Sequence, residues 1–216
     1  MRDVALFDFN GDANIGLYTK RIADILFCGL RLAESVRTRI EDLLGVRIVH
    51  LTVAGTPYPG VFLLAANGKV IAPHIMYESE RETILAEGLN VEVWNTFDTA
   101  LANAVCLDGE KAIISRAAHQ SLRDALVASE YDVLELDTGA YEAPGSIIIP
   151  GTSILTGAEL DTEAVSGFLE KPVVTATVNR GSPFLASGIV WSEKGMLIGK
   201  ESLPAEVMTL TEVLTQ

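Results

Sequence analysis

Residues 177–191 read TVNRGSPFLASGIVW, and their layout decides the fold. A polar turn, Asn179-Arg180-Gly181-Ser182-Pro183, leads into a strand expected over residues 187–192. Gly and Asn tolerate backbone angles closed to other residues, and Pro pre-sets its own, so the turn has a physical cause. The plan is a β run, a small-residue turn, a β-hairpin and then a helix. Four weaker copies of it precede this one. Aligned at Gly16, Gly60, Asn103, Gly145 and Ser187, they recur about every 42–44 residues, the mark of a repeat architecture.

Outward from that stretch, residues 4–9 alternate loosely and are expected to form a strand, followed by a turn at Asn10-Gly11-Asp12. Short strands are expected over 15–19 and 22–27. Residues 32–44 make the clearest helix, with Leu32, Val36, Ile40, Leu43 and Leu44 on one face and Gly45 as its stop. A strand over 46–53 follows. The second unit starts at Ala54-Gly55-Thr56 and has strands over 61–65 and 69–72 about Asn67-Gly68, a dipeptide that favours tight hairpins. Its helix covers 77–88 and its last strand 91–94. The third has strands over 103–107 and 112–115 about Asp108-Gly109, a helix over 118–129 with Leu122, Leu126 and Val127 as buried stripe, and a strand over 132–136. In the fourth, strands over 146–149 and 153–156 precede a helix over 162–169 and a strand over 173–178. The fifth has strands over 188–191 and 196–198 about Lys194-Gly195. Its helix opens at Pro204 and turns Val207, Leu210 and Leu214 inward.

That last unit lacks a strand after its helix, while the strand over 4–9 has no unit of its own. A circular arrangement solves both: the N-terminal strand completes the last repeat and closes a ring, leaving no exposed edges and needing no capping repeats. The expected fold is α/β, a closed β/α propeller of five quasi-symmetric ββαβ repeats in one domain. The repeats fall at approximately 10–54, 55–97, 98–139, 140–180, and 181–216 plus 1–9. Simple alternation of the same elements also suits an ordinary mixed α/β sandwich.

The chain carries 29 acidic against 16 basic residues, a net charge of −13. That excess repels phosphate backbones and suits a basic protein surface. Cys28 and Cys106 sit in apolar runs and read as buried free thiols of a reducing compartment. The start of the chain has no charged leader before an apolar run, and Gly, Pro or charge interrupts every long apolar stretch. A soluble cytoplasmic protein without signal peptide or membrane span is expected. Gly11, Gly16, Gly55 and Gly60 have the wrong spacing for a nucleotide loop. His50, His74 and His119 are isolated, so neither metal nor cofactor is expected. A Cys106–His–carboxylate set is the remaining catalytic option, but Cys106 stands mid-strand between Val105 and Leu107, where side chains pack.

The ordered motifs resemble the translation initiation factor 6 family, ribosome anti-association factors of archaea and eukaryotes. The resemblance is carried by Thr177-Val178-Asn179-Arg180-Gly181-Ser182, Asn14-Ile15-Gly16, Ala54-Gly55 with Gly60, Thr99-Ala100-Leu101-Ala102-Asn103, Pro144-Gly145-Ser146 and Ala186-Ser187-Gly188. The family usually has glycine in place of Ala102. The resemblance implies the pentein ring and a monomer with no enzymatic activity and no cofactor. It also implies binding to the joining face of the large ribosomal subunit, at a basic ribosomal protein beside the sarcin–ricin loop, so that the small subunit is blocked by occlusion. A part in large-subunit maturation stays open. The implied ribosome-binding candidates are Asn14, Gly16, Gly60, Asn103, Asn179, Arg180, Gly181 and Ser182. A structural part is the alternative for each, and Gly16, Gly60 and Gly145 are expected chiefly to let backbones converge at the ring centre. The chain departs from the family in a shorter loop over residues 18–24 and at Phe27-Cys28-Gly29-Leu30, where an aromatic, proline-rich turn is usual. It also lacks the eukaryotic tail, which favours the archaeal type. The pentein fold carries amidine-processing hydrolases and amidinotransferases as well, but their cysteine usually stands near the C-terminus. Here no Cys follows Cys106 and no His follows His119. A non-catalytic protein-binding scaffold is the third reading.

Overall fold

Five three-stranded sheets follow one another along the chain, all built on one plan. This computed structural model describes residues 3–66, 68–138, 142–157 and 160–214. Strand β1 (Asp3–Phe7) comes first. The first unit then has β2 (Thr19–Ile22), β3 (Ile25–Cys28), α1 (Glu34–Leu44) and β4 (Arg47–His50). The second has a one-turn helix α2 (Pro59–Phe62), β5 (Leu64–Ala66), β6 (Lys69–Pro73), α3 (Glu78–Ala86) and β7 (Asn90–Trp94). The third has α4 (Leu101–Ala104), β8 (Val105–Asp108), β9 (Lys111–Ser115), α5 (Gln120–Ala128) and β10 (Asp132–Leu136). The fourth has α6 (Pro144–Ile147), β11 (Ile148–Ile149), β12 (Ile154–Thr156), α7 (Thr162–Leu169) and β13 (Val173–Thr175). The fifth has α8 (Leu185–Gly188), β14 (Ile189–Trp191), β15 (Gly195–Gly199) and α9 (Pro204–Leu214).

In the first four units the first two strands form an antiparallel hairpin, and a third runs parallel to the second. A hairpin closes in a tight turn, whereas a parallel neighbour needs a crossover, and each long helix is that crossover. In the fifth unit the parallel place is taken by β1, in register from Asp3↔Gly195 to Phe7↔Gly199. The N-terminal strand therefore completes the last sheet.

Each core cluster is shared by two consecutive units. Ile22, Phe27 and Leu51 pack with Leu63, Val70 and Ile84 of the next unit. Ile71 and Trp94 pack with Leu101, Ile114 and Leu122. Ile113 and Leu136 meet Ile147, Ile154 and Val165. Leu155 meets Leu185, Ile198 and Leu210. The fifth cluster joins Phe9, Val190 and Leu197 of the last unit to Leu26, Ile40 and Leu44 of the first. Contacts thus pass from unit to unit and from the fifth back to the first, and the apolar face of a single unit is not buried by that unit alone.

Several expected boundaries move. The stretches read as first hairpin strands at 61, 103, 146 and 188 begin instead with one helical turn, α2, α4, α6 and α8, and the strand starts after it. In two of them a proline stands at the first helical position, where its fixed φ suits the turn. Residues 15–18 are a turn, not a strand, so the first hairpin is β2–β3. The repeat alignment also shifts. The second residue of each short helix is Gly60, Ala102, Gly145 and Ala186, so the equivalents of Gly60 in units three and five are Ala102 and Ala186, not Asn103 and Ser187. Gly68 has the positive φ, 76°, that the expected hairpin turn needs, while its partner Asn67 lies outside the described residues. So do the expected boundary at 139–140 and the outer bounds of the fifth repeat, residues 1 and 216.

Val127 corrects the third helix. It is 68 % exposed, and the buried stripe is Leu122 and Leu126 with Ala118 and Ala125 beside them. A residue next to Leu126 in sequence lies about 100° round the helix from it, so the two do not share a face. Val127→Lys should therefore change unfolding free energy by less than about 0.5 kcal/mol, and Leu126→Ala should lower it by about 3 kcal/mol, measured by urea titration.

Candidate functional site

All eight candidate residues fall on connections from the outer strand of one unit to the inner strand of the next. The outer strand and the strand before each long helix run parallel, so these turns and the helix N-termini share one end of the molecule, the turn face. Three of the connections close with an isolated bridge: Phe9↔Asp12, Val53↔Thr56 and Val178↔Ser182. Their loops use left-handed backbone, including non-glycine residues Asn10, Ala54, Asn179 and Arg180, with φ of 54°, 51°, 48° and 63°. Such angles are strained and persist only when surroundings hold them.

Two buried carboxylates hold the second and third of these loops, while the N–H of Gly11 in the first donates to Asp8 Oδ1 at 2.7 Å. Glu206, 8 % exposed, accepts from the hydroxyl of Thr177 at 2.6 Å and from the backbone N–H of Leu203, Gly181 and Arg180 at 2.7, 2.8 and 3.2 Å. Glu80 repeats the arrangement, accepting from the Thr52 hydroxyl at 2.7 Å and from the N–H of Ala54, Gly55 and Tyr77 at 2.8, 2.9 and 2.9 Å. Desolvation pushes both carboxyls up, but the bonds they accept outweigh it and hold both below the ordinary carboxylate value. Sequence reasoning missed these residues. The available signal was a glutamate at the third position of α3 and of α9, the capping-box position, with Thr-Val ahead of each turn.

The structure separates the roles of the candidates. Asn179 is part of the frame: its Nδ2 donates to Ala13 O at 3.0 Å, its N–H to Ser202 Oγ at 2.9 Å, and its Oδ1 accepts from that hydroxyl at 3.3 Å. Its turn is thereby tied to the turn that carries Asn14. Ser182 exchanges backbone bonds with Val178, and Gly181 sits at φ 94°. The Arg180 side chain is exposed, with no ion pair among the described residues. At the centre, a Cβ on Gly16 would lie 1.9 Å from Ala186 O, and one on Gly60 1.8 Å from Gly16 O. Asn103 belongs to a different junction from Asn14 and Asn179. Its Oδ1 accepts from Ser146 Oγ at 2.8 Å, as the Oδ1 of Asn14 accepts from Ser187 Oγ at 3.2 Å. Both pairs stitch one unit to the next.

The turn face also carries exposed apolar groups. Tyr77, Leu203 and Phe184 precede α3, α9 and α8, and Phe97, 78 % exposed, stacks 4.9 Å from the ring of His119 at the start of α5. Behind that face the inner strands surround a central cavity of about 290 Å³. Cys106 lines it but is 3 % exposed, and burial pushes its thiol up to about 12, with Asp108 adding to the rise. A thiol of that kind supplies no thiolate nucleophile at neutral pH. None of the three histidines lines the cavity; the Nδ1 of His50 lies 3.1 Å from Cys28 O, and His119 caps α5. Among the described residues no group of three or more His, Cys, Asp or Glu side chains is placed to hold a metal, and no helix is long and apolar enough to cross a membrane.

A sequence profile described as the eIF-6 family matches residues 4–213. Translation initiation factor 6 of Pyrobaculum aerophilum is 26 % identical over 99 % of this chain and 100 % of its own length. That of Cenarchaeum symbiosum is 27 % identical over 97 % of each. Eukaryotic translation initiation factor 6 of Emericella nidulans is 25 % identical over 95 % of this chain and 87 % of its own. Among solved structures, a dimethylarginine dimethylaminohydrolase adduct with S-methyl-L-thiocitrulline superposes with a TM-score of 0.52 over 83 % of this chain and 76 % of its own, at 13 % identity. The enzyme of that type from Pseudomonas aeruginosa, complexed with citrulline, gives 0.52 over 83 % and 74 %, also at 13 %. At that identity the likeness shows the fold alone.

Proposed function

Because the chain belongs to the eIF-6 family, we propose that it binds the large ribosomal subunit and sterically prevents association with the small one. The observation that carries this reading is the match across residues 4–213. The proposed docking site is the basic ribosomal protein beside the sarcin–ricin loop, and the net charge of −13 supports it, since opposite charge speeds encounter and discourages wrong partners. The protein acts in the cytoplasm as a monomer without cofactor. Occlusion needs a rigid body, not a catalytic residue, and core clusters shared between units supply rigidity. The turn face meets the ribosome: it holds every candidate residue, among them the exposed Arg180, and exposed aromatic groups of the kind that anchor interfaces.

Sedimentation of purified subunits with the protein added tests the proposal. Co-sedimentation with the large subunit and fewer joined ribosomes are expected; absence of both sinks it. Arg180→Glu and Asn103→Asp should each weaken large-subunit binding roughly tenfold, about 1.4 kcal/mol. Their melting temperatures should barely change, because Arg180 is exposed and an aspartate at position 103 still accepts from Ser146. Native affinity in both variants removes these positions from the interface.

A further inference from the structure

The central cavity has a charge pattern opposite to that of the whole chain. The inner strands β2, β5, β8, β11 and β14 are each at one edge of their three-stranded sheet, so one side of each is free of a sheet partner, and residues from all five line the cavity. Among the described residues the charged lining side chains are Lys20 and Arg21, with no carboxylate beside them, although acidic residues outnumber basic ones 29 to 16 in the chain. Arg21 donates to Ala23 O at 3.0 Å. Lys20 is partly buried in the lining, and its ammonium has no hydrogen bond or ion pair among the described residues. An ammonium group held away from bulk water normally has a partner, because its desolvation is costly. The remaining wall is largely apolar, with Leu64, Ile149, Ile189 and the indole of Trp191. A volume of about 290 Å³ holds a small metabolite, since one water takes about 30 Å³.

We infer that this cavity binds a small oxyanion, a carboxylate or phosphate on a short apolar body, with Lys20 as its counter-charge. The inference is independent of ribosome binding. Enclosure lowers Lys20 to about 8, with the facing Cys106 opposing the drop, so the amine is still mainly a cation at pH 7. Around it stand the Arg21 guanidinium, the Cys106 thiol, which burial keeps neutral, and Asp108 behind that thiol, paired with Lys171. Lys20 is then the group that titrates near pH 8. A bound anion favours its protonated form, so affinity should fall about tenfold per pH unit above 8.

Calorimetric titration of the full chain with inorganic phosphate and, separately, with benzoate tests the inference. Saturable one-to-one binding of either at pH 7 is expected, and which of the two binds tells phosphate from carboxylate. Lys20→Gln should weaken it at least tenfold, while Lys20→Arg retains it. Should Lys20→Gln not fold, acylation of the native chain followed by peptide mass spectrometry replaces it, with the bound anion expected to protect Lys20. No binding by either probe, or binding that is the same in Lys20→Gln or leaves Lys20 unprotected, overturns the inference.

Discussion

Gly60→Ala is expected to lose about 3 kcal/mol of stability and to lower the melting temperature by roughly 6–12 °C. The added methyl would lie 1.8 Å from the carbonyl oxygen of Gly16 and 2.6 Å from that of Thr19. Both are backbone atoms, so no rotamer change relieves the clash. The first and second units must separate where Gly60 N–H donates to Leu17 O at 3.1 Å and the cluster around Phe27 and Leu63 spans the junction. Gly181→Ala is the comparison. Gly181 has a φ of 94° but open space around it, so its cost is the left-handed backbone alone, about 1 kcal/mol. Urea unfolding of the two variants separates close approach from backbone strain. If Gly60→Ala is no more costly than Gly181→Ala, the glycine is not there for packing. Gly16 and Gly145 meet backbone carbonyls in the same way, at 1.9 and 2.2 Å. Ala102 and Ala186 hold the equivalent place in the other two short helices, and those junctions accommodate a methyl group.

Long-period features were legible in the sequence. The fivefold recurrence of one plan, the helix over 162–169, the strand over 132–136, the helix start at Pro204 and the docking of the N-terminal strand beside β15 all appear in the structure. Each involves enough residues for a period or a turn residue to stand out. The one-turn helices did not, because four residues such as Leu101–Ala104 are too few to show a 3.6-residue period, and the Val and Ile that follow read as strand. Of the site, the turns were legible from Asn, Gly and Pro. Their anchors were not: a glutamate in a first helical turn reads as a solvated charge facing the helix dipole, and only burial shows Glu80 and Glu206 turned inward. Nor does any local pattern reveal that Asn179 bonds to Ala13 across most of the chain length.

Glu206→Ala should cost about 3 kcal/mol at neutral pH, because it strands three backbone N–H groups and the Thr177 hydroxyl that now share one carboxylate. Glu206→Gln keeps the shape but loses the charge that assists those bonds, so a smaller loss is expected. The sign of the pH dependence follows from the depressed carboxyl. Its contribution is fully present above the ordinary value of 4.5 and is lost as pH falls through the lower folded value. The stability gap between native protein and Glu206→Gln should therefore be widest near pH 7 and should narrow as pH falls below 4.5. A gap of constant size across that range would show that the carboxylate charge is not what holds the turn. The same variant bears on ribosome binding. Arg180 and Asn179 keep positive φ only while their neighbours enforce it, so a loosened turn no longer presents Arg180 in one position. At a temperature where Glu206→Gln is fully folded, its affinity for the large subunit should fall about as far as that of Arg180→Glu. Combining the two changes should add little, since both act through one contact. Additive losses would place the effect of Glu206 elsewhere on the turn face and leave Arg180 acting alone.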